Sequence, residues 1–226
     1  MTTSGPIPRL HAAPAERVAA ARPQVYGLDI ETDTAVGGLD PTRARILAVA
    51  VVTAARELVF TGPERELLAE LDTAMASLEP GVIATWNGSA FDLPFIVDRA
   101  RRCDIDLGIG TWPDSTLRTR TPLPGHTGSY RGTWFSHRHL DVYRVYSNDL
   151  KRTLDVSCSL KSVASVVGLP HIVEDASRVH ELDESELRRY VASDARVTRQ
   201  LALRRWATAS RFVDSAPGLA SGSGVA

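Results

Sequence analysis

The residues RILAVAVVTA at 45–54 are almost uninterrupted apolar. A strand with one wet face alternates apolar and polar residues, so a run without alternation must be covered on both faces. This segment asks for a sheet with elements packed above and below it. Its neighbours supply the partners. VYGLDIE (25–31) reads as a strand before it and ELVFTG (57–62) as a short third strand after it. Gly37-Gly38 and Ala54-Ala55-Arg56 make the connections, which predicts a meander.

The pattern then changes. PERELLAELDTAMASLEPG (63–81) is an amphipathic helix with Pro near its start and Pro-Gly at its end. VIATWN (82–87) is another buried strand, leading through Gly-Ser into a helix from Phe91 to Arg102. Residues 103–139 form an irregular insertion rich in Pro, Gly and Thr, within which TLRTRT and YRGTWFSHRH are expected to pair as a hairpin. Helices follow at 141–150 and 159–167, and a long one runs from Asp183 to Ala209, where Asp183 and Glu186 fit a capping box. The sum is an α/β domain, a small sheet covered by helices.

Residues 1–22 and 213–226 read as disordered tails around a domain at 23–212; DSAPGLASGSGVA is too small and flexible to bury a core. The N-terminal stretch has no continuous apolar core of a secretory signal, and no apolar run approaches a membrane span, so a cytoplasmic protein is expected. Cys103 and Cys158 lie far apart, which suits a reducing compartment. The net charge of −1 argues against a protein that coats nucleic acid non-specifically, but not against an enzyme that grips a few nucleotides at a strand end. Residues 110–152 carry seven Lys/Arg (Arg118, Arg120, Arg131, Arg138, Arg144, Lys151, Arg152) against Asp114, Asp141 and Asp149; a solvated loop and a phosphate-facing surface both fit.

The acids carry the chemistry. Strand alternation places Asp29 and Glu31 on one face, about 7 Å apart, with Tyr26, Leu28 and Ile30 on the other. Two carboxylates projecting together from so apolar a strand repel unless a cation lies near. On the last helix Leu187, Tyr190, Asp194, Val197 and Leu201 form one stripe that should face the core. An isolated charge there costs roughly several kcal/mol unless it is paired or binds metal. Arg188, Arg189 and Arg196 project from other faces, which weakens a salt bridge as the explanation. Asp92 follows VIATWN just before Pro94, as a helix-start acid or as a further carboxylate at the carboxyl end of a strand, where ligands gather in α/β sheets. In SHRHLDV, His137, His139 and Asp141 have the look of a zinc set; a helix cap by Asp141 is the commoner arrangement.

The ordered pattern is Asp-x-Glu, then Asn-x-x-x-Phe-Asp, then Tyr-x-x-x-Asp. LDIET (28–32), WNGSAFDLPFIVDRA (86–100), YVASDA (190–195) and SLKSV (159–163) together resemble the proofreading exonuclease domain of family B DNA polymerases, within the DEDD exonuclease superfamily. The resemblance covers residues 23–210. It implies a ribonuclease H-like fold with a five-stranded mixed β-sheet flanked by helices. It further implies a 3′→5′ exonuclease in which Asp29, Glu31, Asp92 and Asp194 hold two ions, Mg²⁺ or Mn²⁺, and Tyr190 orients the attacking water. Tyr190, with Arg189 before it rather than His, puts the chain with the tyrosine branch. Thr32, Asn87, Phe91, Ser159 and Leu160 would hold the last nucleotides, DNA being the expected substrate and RNA the alternative. A non-catalytic nucleic-acid-binding module is the alternative from another class; no protein partner is implied. Too few residues follow Asp194 for a polymerase domain, so a stand-alone bacterial member is expected. The chain departs from the family where Leu169-Pro170 leads into His171-Ile172-Val173 without the lysine that members often carry.

Overall fold

A computed structural model describes residues 24–117, 121–153 and 157–215, with backbone only at 148–153. The strands are β1 (Val25–Thr32), β2 (Ile46–Val52), β3 (Glu57–Thr61), β4 (Val82–Thr85), β5 (Ile109–Pro113), β6 (Tyr130–Trp134) and β7 (His137–Asp141). They form one sheet in the order β3-β2-β1-β4-β7-β6-β5. The expected meander is present, β1 and β3 both pairing antiparallel with β2, while β4 joins β1 and β7 joins β4 in parallel. The mixed sheet is of the ribonuclease H-like type, but it has seven strands where five are expected.

The difference lies in the segment read as an insertion. Its last residues are β7, a parallel neighbour of β4 with Val82 opposite Arg138 and Thr85 opposite Asp141. Phe135-Ser136 turn the chain from β6 into β7, Phe135 having a φ of 49°. The partner of β6 is β5 rather than TLRTRT, whose residues 118–120 lie outside the described set. Pro113 ends β5 on the outer edge of the sheet, where a missing N–H breaks no ladder. Composition hid this strand, because IGTWP offers no alternation to read.

The helices are α1 (Glu64–Ser77), α2 (Asp92–Arg102), α3 (Val142–Thr153), α4 (Leu160–Val166), α5 (Glu184–Arg204) and α6 (Trp206–Ala209). Both faces of β2 are covered, as its unbroken apolar run requires. Ile46, Val49 and Val51 join Tyr26, Leu28 and Ile30 under Leu68, Leu71 and Met75 of α1 and Phe95 and Ile96 of α2. Ala48, Ala50 and Val52 pack instead under Leu187, Tyr190, Val191 and Ala195 of α5. The capping box of Asp183 and Glu186 starts α5. The helix expected to run unbroken to Ala209 stops at Arg204: Arg205, at φ −116° and ψ 29°, separates α5 from α6.

Helix α5 lies directly on β1. A Cβ on Gly27 would sit 2.0 Å from the carbonyl oxygen of Ala195 and 2.9 Å from Arg199 Cβ. The Ala195 carbonyl is backbone and cannot yield without moving α5. Gly27→Ala should therefore cost about 1–3 kcal/mol by overpacking and push Asp194 away from Asp29. Denaturant melts and metal titration check this; a variant as stable as the parent with unchanged metal affinity contradicts it.

The C-terminal boundary also moves. Val213 and Asp214, assigned above to a tail, are buried. Asp214 accepts from Arg131 Nη1 at 2.8 Å and Gly132 N at 3.1 Å, and its carboxylate lies 2.9 Å from His139 Nδ1. His139 Nε2 meets Thr85 Oγ1 at 2.8 Å, and the Asp214 N–H donates to the His139 carbonyl. A short polar side chain hidden at the end of an apolar-poor tail leaves no pattern in sequence. Residues 1–23 and 216–226 lie outside the described set.

Candidate active site

The sheet brings together three of the four predicted carboxylates. Asp29 and Glu31 project from β1 toward α5, and Asp194 meets them from the helix. Ligand oxygens of these three lie within 4.8 Å of one another. Asp29 and Glu31 are half-buried; Asp194 is buried. Asp92, the first residue of α2, is also buried, beside this group rather than within it.

Burial and crowding penalise the charged forms. Burial raises Asp29 well above the ordinary carboxylate range, with Asp194, Glu31 and Asp92 adding repulsion and Lys161 relieving some of it. Glu31 is pushed up to about 8, by burial first and then by Asp194. Asp92 is also pushed up to about 8, by burial first, with Asp141 repelling it and backbone N–H groups holding it down. Burial raises Asp194 while Lys161 lowers it. Asp194 Oδ1 is buried without a hydrogen-bond partner. An oxygen-only donor set that resists ionisation, with one buried oxygen unpartnered, fits a hard divalent cation such as Mg²⁺ or Mn²⁺.

A stability profile follows. With metal removed, folded Glu31 and Asp92 hold protons up to about pH 8 that the unfolded chain releases near 4.5 and 3.8. The folded state then binds more protons across that window, so stability falls as pH rises through it. Thermal melts in EDTA should give a lower Tm at pH 8 than at pH 5.5, and Mg²⁺ should raise Tm more at pH 8. Equal response at both values would show that the carboxylates carry no such strain.

The residue that sequence reasoning passed over is Lys161, on α4. Its Nζ donates to Tyr190 Oη at 2.6 Å, lies 3.4 Å from Asp194 Oδ2, and sits 3.8 Å above the Tyr190 ring centroid. One signal was available: the chain holds 26 basic residues and only two are lysines, Lys151 and Lys161. Where arginine dominates, a compact, flexible ammonium marks a place that the planar guanidinium does not suit. The arginines set aside above do lie elsewhere, Arg188 on the Val59 carbonyl and Arg196 on Glu57. Tyr190 itself is raised far above its usual range, by burial and then by Glu31 and Asp194.

The predicted nucleotide contacts are scattered around this centre. Asn87 has a φ of 65° and its N–H is held by Asp141 at 2.9 Å. Phe91 is half-buried against Phe95, with ring centroids 5.3 Å apart. Ser159 is exposed and caps α4, accepting from the Ser162 N–H. Leu160 is buried and faces the core. Thr32 spends its hydroxyl on the Gly38 carbonyl, bracing the loop after β1. Asp141 takes the expected capping bond from the Tyr143 N–H, while His137 lies on the Met75 carbonyl and His139 on Thr85 and Asp214. Of the seven basic residues at 110–152, Arg131 is paired with Asp114 and Asp214; residues 118 and 120 and the side chains of 151 and 152 lie outside the described set. Among the described residues no helix is long and apolar enough to cross a membrane.

A mixed ribonuclease H-like sheet thus brings carboxylates from an inner strand and from its covering helix to one place. The sequence profile of the DNA polymerase family B exonuclease domain matches residues 53–163. A DNA polymerase of Archaeoglobus fulgidus is 31% identical over 83 residues, 36% of this chain and 11% of that protein. One from Pyrococcus glycovorans is 28% identical over 149 residues, 61% of this chain and 18% of that protein. The family B DNA polymerase structure from Pyrobaculum calidifontis superposes with a TM-score of 0.62 at 23% identity, over 80% of this chain and 24% of that one. The chain thus spans less than a quarter of each of these polymerases. Over residues 53–163 it resembles the exonuclease domain of family B DNA polymerases.

Proposed function

We propose that this chain is a metal-dependent 3′→5′ exonuclease that removes nucleoside monophosphates from single-stranded or frayed DNA ends. The observation that carries the reading is the convergence of Asp29, Glu31 and Asp194 within 4.8 Å of one another, with Asp194 Oδ1 buried and unpartnered. Asp29, Glu31 and Asp194 would hold one ion, and Asp29, supported by Asp92, a second. Bound there, Mg²⁺ or Mn²⁺ supplies acidified water and neutralises charge developing on the phosphate.

The chain's own residues set the geometry. Tyr190 stays neutral at any working pH, so it is no base; it orients water by hydrogen bond. Lys161 donates to the Tyr190 oxygen, which leaves the phenol proton for another acceptor. Asn87 and Phe91 precede Asp92 on one turn and Ser159 caps the helix that carries Lys161; Phe91 would offer a face for an unpaired base of any sequence. Thr32 and Leu160 would contribute through backbone and packing.

End-labelled DNA and RNA oligonucleotides of matched sequence, with Mg²⁺, Mn²⁺ or EDTA, test this. Stepwise shortening of DNA from the 3′ end in metal and none in EDTA is expected. No turnover in either metal would sink the reading, and faster loss of RNA would move the substrate. Tyr190→Phe should slow release about tenfold to a hundredfold, the loss of one hydrogen bond to a charged centre, with metal affinity unchanged. An unchanged rate would remove Tyr190 from the scheme.

A further inference from the structure

One buried acid beside Asp92 has no part in the proposed chemistry. Asp141 ends β7 and is 2% exposed. Its Oδ1 accepts from the Tyr143 N–H at 3.1 Å, as a cap of α3 would. That cap uses one oxygen, and serine or asparagine would serve it as well. Asp141 does more. The same Oδ1 accepts from the Asn87 N–H at 2.9 Å, and Oδ2 accepts from the Ser89 N–H at 3.3 Å. Both groups belong to the turn that leads from β4 into α2. A carboxylate can accept from all three N–H groups; an amide would turn donors toward one of them. The turn itself is tightly folded. Asn87 takes a φ of 65°, which a non-glycine residue seldom adopts. A Cβ on Gly88 would lie 2.0 Å from Thr85 Oγ1. The Ser89 carbonyl accepts from the Tyr130 N–H at 2.7 Å. At the far end of the turn, the Asp92 carboxylate accepts from the Ile30 N–H, between Asp29 and Glu31 on β1. Strand β4 pairs with β1 only as far as Gly27, and Asp92 meets β1 beyond that point.

We propose that Asp141 is a positioning residue for the carboxylate centre: it clamps the turn whose far end sets Asp92 against β1. For what Asp92 does there the inference rests on the exonuclease reading. The hold runs through three elements. Strand β7 grips the turn through Asp141, and the turn grips β1 through Asp92. Partners of this kind, one step behind a metal-binding carboxylate, fix its direction and so its affinity for the ion. Capping α3 is a separable duty, because it needs Oδ1 alone. The charge of Asp141 points the same way. It repels Asp92, while His139 and Arg144 offset part of it. For a clamp with a structural duty only, a like charge beside a buried carboxylate is a burden. A cation held by Asp92 would turn that burden into an attraction.

A double-mutant cycle is the test. Asp141→Asn keeps the Oδ1 acceptor and loses Oδ2; Asp141→Ser keeps the cap alone. Each is made in the parent and in an Asp92→Asn background. The first readout is the Mn²⁺ concentration that gives half of the metal-induced rise in Tm. The second, in the parent background, is kcat and KM for nucleotide release from end-labelled single-stranded DNA. Both variants should raise the half-saturating Mn²⁺ concentration and lower kcat by about tenfold to a hundredfold, with KM nearly unchanged. In the Asp92→Asn background they should shift the Mn²⁺ requirement by no more than about twofold, because the residue they act through is gone. A residue that only caps α3 or supports the fold would add the same loss in both backgrounds. Equal losses in both, or none in either, overturn the proposal. Failure of both the Asn and the Ser variant to fold assigns Asp141 to the fold alone and overturns it too. A parent that binds Mn²⁺ without shortening DNA sinks the exonuclease reading, and the Mn²⁺ arm of the cycle then decides the clamp by itself. Normal shortening with additive losses sinks the clamp alone. A parent whose Tm does not respond to Mn²⁺ sinks both.

Discussion

Asp194→Ala should lower release of the 3′-terminal nucleotide by roughly a thousandfold or more, equivalent to about 4 kcal/mol of transition-state stabilisation. The proposed water-carrying ion would lose a ligand that neither Asp29 nor Glu31 can replace from its place on β1. The same change should not damage the metal-free fold. Asp194 is a buried acid with an unpartnered oxygen, and it raises both Asp29 and Glu31. Removing it relieves repulsion, so the variant in EDTA at pH 8 should melt at or above the parent temperature. A dead enzyme with an intact or stabilised fold is the expected pair of results. Full activity would overturn the assignment; inactivity with a collapsed fold would show Asp194 to be structural instead.

The second large effect lies away from the chemistry. Asp214→Ala should destabilise the protein by about 3–5 kcal/mol, because it leaves His139, Arg131 and the Gly132 N–H facing a buried gap. For a domain of this size that is roughly a 6–20 °C fall in Tm. Asp214→Asn, which keeps an acceptor oxygen, should lose less. Equal losses for both would assign the effect to packing rather than to the hydrogen bonds. Thermal melts at pH 7 separate these outcomes.

The residues that were easy to read in the sequence are those under local constraint. RILAVAVVTA could only be a strand covered on both faces, and Asp183 with Glu186 could only open a helix. The stripe holding Tyr190 and Asp194 showed its buried face because five positions agree at helical spacing. Lys161 and Asp214 were harder to read, because each gains its meaning from partners far away in sequence. Lys161 reaches its site across α4, and only its rarity among the arginines and its place in SLKSV set it apart. Asp214 is a single polar residue after the last helix, and its hydrogen bonds depend on β6 and β7. The edge strand β5 failed for another reason: its residues suit a strand only because β6 is there to pair with it.

The placement of α5 on β1 has a consequence for biosynthesis. The first strand of the described chain supplies two carboxylates of the cluster and nearly its last helix the third, so its assembly waits on contacts of very long range. A ribosome-bound chain that has displayed β1 to β7 already carries Asp29, Glu31 and Asp92 but has no Asp194 to complete them. On the proposed reading such a chain would lack activity, however well its sheet had formed. Competence would arrive in one late step, when α5 settles over Gly27.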